Sequence, residues 1–567
     1  MARACAVAVS LLVVGCTADP VGAPSVAFAA EPERPTAAGS FLAARHAERE
    51  RDWDGAARFL EQALALEPTN FDLLQRAHGA VLADGRFTDA VALARRIVAV
   101  SSANPPANVT LAVEEIRLGR WEDAGRRIRE LPLQGINRVV LPLMRAWIEA
   151  ALDRPAAAQD QLRGLTEIGG FRPIQMLHAA LINDLAGRTA EADADFTRAL
   201  EAEGGPPPRV AEAAAWFYAF HGRRDEARAL IARVRALYPE SLSLEAVGAR
   251  LAGSAPTPRF VADAKAGMAE ALFNVASAVR QEAGGQVSLA YGRYALAIAP
   301  DHGPALLLVA DVLDQQNRFA ESNALFAKVP ATDPLSWPAR LRIAENLYQL
   351  KKPDEAVAML EAMASERPDR IDALTALGQI RRLQERFPDA AEVYARALAR
   401  IPDPQPRHWA LFYARGIAHE RSKQWPAAEA DFLKALELQP EQPDVMNYLA
   451  YSWVDMNLHL DRAFPMLERA VELRPNSGHI IDSLAWAHFR KDRFEEAVPL
   501  MERAAELLPQ DPVILDHLGD VYWRVGRTAE ARFSWRRSLA NKPEGELRAE
   551  LERKIAQGLA PTPQAHR

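Results

Sequence analysis

Cysteine is almost missing from this sequence: the two it has, Cys5 and Cys16, both fall in the first sixteen of 567 residues. The body therefore carries no disulfide, no thiolate metal site and no cysteine nucleophile, and its stability must come from packing. No apolar run beyond the first segment approaches the ~20 residues that a membrane-spanning helix needs. Basic charge is not in excess either. With 68 Lys and Arg against 75 Asp and Glu, the net charge is -7, so no bulk positive field draws in a phosphate backbone and nucleic acid is not an expected partner. HExxH, GxSxG, a Cys/His cluster and a glycine-rich phosphate loop are all absent, and the dispersed histidines read as surface or packing residues. His479 and His488, nine positions apart, belong to different faces of a helix. No stretch alternates strands with helices as a transferase domain would. An enzyme is not expected, and no cofactor or metal is implied. What is present is 49% hydrophobic and 25% charged residues, the balance of a chain that folds in water.

The first segment explains the placement of Cys16. Arg3 precedes an apolar stretch from Ala4 to Val14 that is too short to span a bilayer of about 30 Å and has the dimensions of a signal-peptide core. It ends in Val13-Val14-Gly15-Cys16, which resembles the bacterial lipobox, and that resemblance implies lipidation at Cys16. Ala27-Phe28-Ala29 offers an ordinary cleavage site instead, which would leave a soluble periplasmic protein. Thr17 stands where inner-membrane lipoproteins carry an aspartate, so the resemblance implies the periplasmic face of the outer membrane. Residues 17–40, rich in Ala, Pro, Gly and Glu, read as a flexible tether.

The body repeats. Prolines stand at Pro300, Pro334, Pro368 and Pro402, each 34 residues after the last, and then at Pro440, Pro475, Pro509 and Pro543. Within that period Leu377-Gly378, Ala390, Tyr394 and Ala397 return as Gly416, Ala428, Phe432 and Ala435, and again as Leu518-Gly519, Ala531 and Trp535. Two antiparallel helices of roughly 12 to 14 residues are each marginal alone and approach closely only where side chains are small. Gly378, Ala390 and Ala397 supply that closeness, and Leu377 and Tyr394 fill the space beside it. The pattern resembles the tetratricopeptide repeat, which implies an all-α, right-handed superhelix of stacked helix pairs. The N-terminal half repeats less regularly, with one unit at Ala56, Ala63 and Pro68, another at Ala192, Phe196 and Ala199, and a third at Tyr218, Ala227 and Pro239. The spacing predicts an irregular array over 41–252, a hinge or a long loop within one superhelix over 253–268, and a regular array over 269–543. A capping helix over 544–556 shows Leu547, Leu551 and Ile555 on one face, and a loose tail follows over 557–567. Pro465 and Pro499 are expected near helix starts, where only an orphan donor is lost.

In the tetratricopeptide family the first helix of each pair lines a concave groove. The resemblance places Tyr348, Tyr413, Tyr451, Trp486, Phe489 and Trp523 there, interleaved with Asn447, Asp482 and Asp516, as aromatic area and polar groups for an extended peptide. The positions that grip a terminal carboxylate elsewhere in the family are Thr375, Tyr413, Asn447, Asp482 and Asp516 here, which disfavours such a clamp. The blocks NYLAYSWVDMNLHLDRAFPMLERAVELRPNSG and HIIDSLAWAHFRKDRFEEAVPLMERAAELLPQDP resemble bacterial outer-membrane tetratricopeptide lipoproteins. One role in that lineage is adaptor for a periplasmic carboxyl-terminal processing protease. The expectation is thus a non-enzymatic, envelope-anchored scaffold for protein or peptide partners. The alternatives are an assembly scaffold for secretion or polysaccharide export and, from another class, an enzyme with an unrecognised site.

Overall fold

A computed structural model describes residues 35–168, 170–201, 205–239, 241–253, 256–280, 285–543 and 545–560. Cys16 and the cleavage alternatives lie outside them. The described residues form thirty α-helices and no strand, almost all joined as antiparallel pairs. The chain divides into two compact units, residues 1–137 and 138–567.

The first unit holds three helix pairs, from Ala37–Glu50 with Trp53–Leu66 to Pro105–Arg117 with Trp121–Arg129. Ordered helix begins at Ala37, inside the stretch expected as tether, with the Thr36 side chain accepting from Gly39 N at 3.0 Å as its N-cap. The second unit holds eleven pairs, an unpaired helix Leu242–Ala252 and a last helix Glu546–Gln557. The segment expected as hinge over 253–268 lies within this unit. There the Ala264–Ala278 helix has already begun, with the Asp263 side chain accepting from Ala266 N.

Most pairs reverse through the same turn. A left-handed residue follows the first helix, a glycine at Gly85, Gly187 and Gly526 among others, and Lys351, Glu385, Lys423 or Asp492 in other pairs. The next amide then bonds five residues back, as in Lys352 N to Leu347 O at 2.9 Å and Gln424 N to His419 O at 2.8 Å, which satisfies the carbonyls the helix end leaves open. Four second helices end two residues before their periodic proline, at Glu366, Leu438, Leu473 and Leu507. Arg367, Gln439, Arg474 and Leu508 are all pushed out of the helical region, with φ between -126° and -139°, as a following Pro requires. Pro465 and Pro499 are each the sixth residue of their helices. This lies beyond the orphan donors, so each forgoes an interior backbone bond, contrary to the expectation above.

The small residues do what their spacing demands. Ala390, Ala397, Ala428 and Ala435 are fully buried, as are Ala56, Ala63, Ala192 and Ala227 in the irregular half. Gly378 faces the Tyr394 ring so closely that any Cβ would overlap it, and at Gly416 a Cβ would lie 2.6 Å from Phe432. Gly378→Ala is therefore expected to overpack this crossing and cost about 1–3 kcal/mol. The check is hydrogen exchange, which should rise in the Asp372–Leu383 and Phe387–Leu398 helices while remote pairs stay protected.

Candidate functional site

Within each unit the first helices of successive pairs lie side by side, and polar residues join them at roughly one-repeat intervals. His78 Nε2 lies 2.8 Å from Thr110 Oγ1. Trp147 Nε1 donates to His178 Nδ1 at 3.1 Å, and His221 Nε2 lies 2.8 Å from Asp184 Oδ1. Asn346 donates to Asp314 at 2.6 Å, and His517 Nδ1 lies 2.9 Å from Asp482 Oδ1. Five of the dispersed histidines, counting His302 below, are thus rungs between neighbouring helices. Burial pushes His78 and His178 down to about 4, so both are neutral packing groups at ordinary pH.

This ladder decides which of the expected groove residues face outward. Tyr348 does: it lines a cavity of about 710 Å³ with Thr375, Gln379 and Leu411, built by the Ser336–Gln349, Asp372–Leu383 and Trp409–Arg421 helices. Tyr413 is half-buried among Trp409, Phe432 and Tyr448, with ring centroids 6.0–6.1 Å away, and burial raises its hydroxyl to about 12. Burial raises the half-buried Tyr451 in the same direction. Asn447 is half-buried, and its Oδ1 accepts no hydrogen bond from any described residue. Trp486 is stacked between Phe489, at 4.7 Å and 12°, and His517, at 4.0 Å and 17°. These rings pack between repeats rather than standing free.

Asp482 and Asp516 are not groove carboxylates. Both are buried, the first against His517 and the second beneath the last helix, where Lys554 Nζ bonds Asp516 at 2.8 and 2.9 Å and Asp520 Oδ2 at 2.8 Å. Asp520 Oδ1 also accepts from Trp535 Nε1 at 2.9 Å. Burial would lower Lys554 and His517, but the carboxylates outweigh it and hold both above their ordinary values. Burial and the neighbouring Asp516 push Asp520 up to about 6. Trp523 is half-buried, tilted on Trp535 at 5.5 Å with Gly558 close against its ring. The chain beyond Gln557 is not loose as far as Ala560: Leu559 packs on the core and Arg524 donates to Ala560 O at 2.9 Å.

Sequence reasoning missed a second cavity, of about 540 Å³, in the irregular half. The Pro208–Phe220, Ala264–Ala278 and Gly303–Gln315 helices supply its floor, and the unpaired Leu242–Ala252 helix, Phe260 and Asp333 supply its sides. On the floor Arg209 bonds Glu270 at 2.9 and 2.6 Å and Glu212 at 2.8 Å. Its guanidinium lies over Phe260 at 4.6 Å and Phe273 at 5.6 Å. His302 Nδ1 accepts from Ala305 N at 3.2 Å, so Nε2 carries the proton and donates to Glu270 at 3.0 Å. Burial would raise the Glu270 carboxyl, but Arg209 and His302 hold it well below the usual carboxylate range. The available sequence signal was Arg209, Glu212 and Glu270, charged residues on helices rich in alanine and other apolar residues. Among the described residues no group of three or more His, Cys, Asp or Glu is placed to hold a metal ion, and no helix is long and apolar enough to cross a membrane.

Models of the tetratricopeptide repeat match residues 41–74, 347–415 and 457–512. A TPR repeat-containing protein of Pseudomonas aeruginosa is 27% identical over 184 residues, which cover 32% of this chain and 30% of that relative. The structure of the APC/C hetero-tetramer Cut9-Hcn1 is 14% identical at TM-score 0.39, over 92% of this chain and 96% of that one. YrrB, described as a TPR protein with an unusual peptide-binding site, is 18% identical at TM-score 0.27, over 34% and 97%.

Proposed function

Because this chain is a member of the tetratricopeptide-repeat family, whose repeats act as protein-interaction scaffolds, we propose that it is a non-enzymatic, lipid-anchored adaptor that holds an extended segment of a partner protein. The observation that carries this reading is the 710 Å³ cavity on three successive first helices. Its size is that of a ligand site, its walls are apolar at Leu341, Ile371 and Leu411, and Tyr348 and Gln349 bring side-chain polar groups that bond no other described residue. An extended peptide needs both kinds of surface, apolar area for its side chains and polar groups for its backbone. The lipobox-like sequence before Cys16 supports attachment to the outer membrane, and tethering raises the concentration of partner and client toward the millimolar range. The C-terminal blocks favour a carboxyl-terminal processing protease as that partner.

The test uses the full chain and the carboxyl-terminal processing protease from the same genome. Wild type is expected to co-elute with it, and Tyr348→Ala with Ala376→Glu is expected to weaken binding at least tenfold while circular dichroism stays helical. Undiminished binding by the double variant would overturn the groove assignment, and no binding by wild type would overturn the protease as partner. Cys16→Ala is expected to abolish incorporation of labelled fatty acid. Label persisting on that variant removes the anchor.

A further inference from the structure

We propose that the 540 Å³ cavity receives an arginine side chain of a bound peptide. The inference rests on the scaffold reading above and adds a residue preference to it. The cavity departs from the repeat: it exists because the unpaired Leu242–Ala252 helix lays Ser243 and Val247 along one side and is tied across the unit by an ion pair from Glu245 to Arg370.

Charge complementarity selects the occupant. Four carboxylates line the cavity, Glu212, Glu270, Asp311 and Asp333, against two guanidiniums, Arg209 and Arg280. The lining thus holds two more carboxylates than guanidiniums. Arg209 saturates the two on the floor, but the two at the rim are not saturated. The nearest cations to Asp311 are Arg280 at 3.6 Å and Arg342 at 3.8 Å, beyond hydrogen-bond reach, and Arg342 makes its short bonds to Asp314 and Glu345 instead. Burial raises the Asp311 carboxyl, and these distant arginines do not bring it back to its ordinary value. Asp333 accepts from Leu335 N at 2.8 Å through Oδ1, and no cation among the described residues pairs with it. Pro304, Leu307 and Phe273 form apolar walls beside these two carboxylates.

The floor shows what such a place holds. There the chain's own Arg209 lays its guanidinium over two rings while carboxylates take its N–H fork. A second guanidinium, planar and weakly hydrated, finds the same two kinds of partner at the rim. A lysine ammonium gives up more hydration to enter and has no planar face to lay against Phe273 and the apolar walls.

The experiment is a titration of the full chain with four blocked, fluorescently labelled pentapeptides, Ala-Ala-X-Ala-Ala, in which X is Arg, Lys, Gln or Glu. The Arg peptide is expected to bind at least tenfold more tightly than the Gln peptide and more tightly than the Lys peptide, with a preference that shrinks as salt rises. Asp311→Asn with Asp333→Asn keeps an amide oxygen that can still accept from Leu335 N. This double substitution is expected to reduce the preference over Gln below twofold at unchanged helicity. Equal affinity for the Arg and Gln peptides, a Lys peptide that binds as well as Arg, or a preference that survives the double substitution would each overturn the proposal. Tyr348 lies in the other cavity, so loss of the arginine preference leaves protease capture to be judged separately.

Discussion

Lys554→Met is expected to loosen the last helix and the pair beneath it, at a cost of about 3–5 kcal/mol to that region. Lys554 is 2% exposed and, among the described residues, is the one cation bonded to Asp516 and Asp520, which are 5% exposed each. Methionine fills a similar volume, so the loss arises from two carboxylates left buried without a counter-charge rather than from a cavity. Hydrogen exchange should rise across Pro512–Arg524, Thr528–Ala540 and Glu546–Gln557, and trypsin should cut at Arg548 and Arg553. Two controls separate charge from packing. Asp516→Asn and Asp520→Asn added to Lys554→Met should recover part of the loss. Lowering the pH toward 5 should also recover part of it, because Asp520, already pushed up to about 6, takes a proton more readily once its cation is gone. A variant equally labile at pH 5 and pH 8 would show that shape, not charge, holds the helix down.

Acidification of the unmodified chain should act on different regions in opposite directions. His78 and His178 have folded values near 4 against about 6.5 unfolded. Above pH 6.5 both are neutral folded or unfolded, and they contribute no slope. Between pH 6.5 and 4 the unfolded chain binds a proton that the folded chain refuses, so stability falls as pH falls, by about 3 kcal/mol per histidine at pH 4 and about 2 at pH 5. His517 has the opposite sign. Asp482, with Asp516 and Asp520, raises it against the burial that opposes them, so its contribution is complete below 6.5 and is lost as pH rises through its folded value. Between pH 7.5 and 5, protection factors, corrected for the pH dependence of intrinsic amide exchange, should therefore fall around Phe71–Asp84 and Arg172–Leu185 and rise around Pro512–Arg524. His78→Phe should flatten the first response, since an apolar ring has no proton to refuse. Uniform change along the chain would contradict these assignments.

Much of the fold could be read from the sequence because its rule is local. A proline every 34 to 38 residues with small residues at recurring offsets states where helices stop and where they touch, and Ala390, Ala397 and Ala428 are fully buried. Even irregular units carried Ala56 and Ala192 at the same crossings. The candidate site was legible in part. Tyr348 could be placed on a cavity wall because its helix face is set by the same period. Asp482 and Asp516 could not, since a polar residue on a first helix can look into the groove or across to the neighbouring helix, and a fraction of a turn separates the two. Their partners, His517 and Lys554, lie 35 and 38 residues away, and no periodicity announces a pairing of unlike residues. The 540 Å³ cavity was hidden for a related reason: its side is an insertion that breaks the period, and a breach reads only as an interruption.

Helices that touch mainly their neighbours make a chain that yields to tension one pair at a time. Glu245 and Arg370 interrupt that behaviour, for their ion pair clasps points 125 residues apart. Pulled along its length, the second unit should pay out its outer pairs first, while the stretch between those two residues stays slack until the clasp opens.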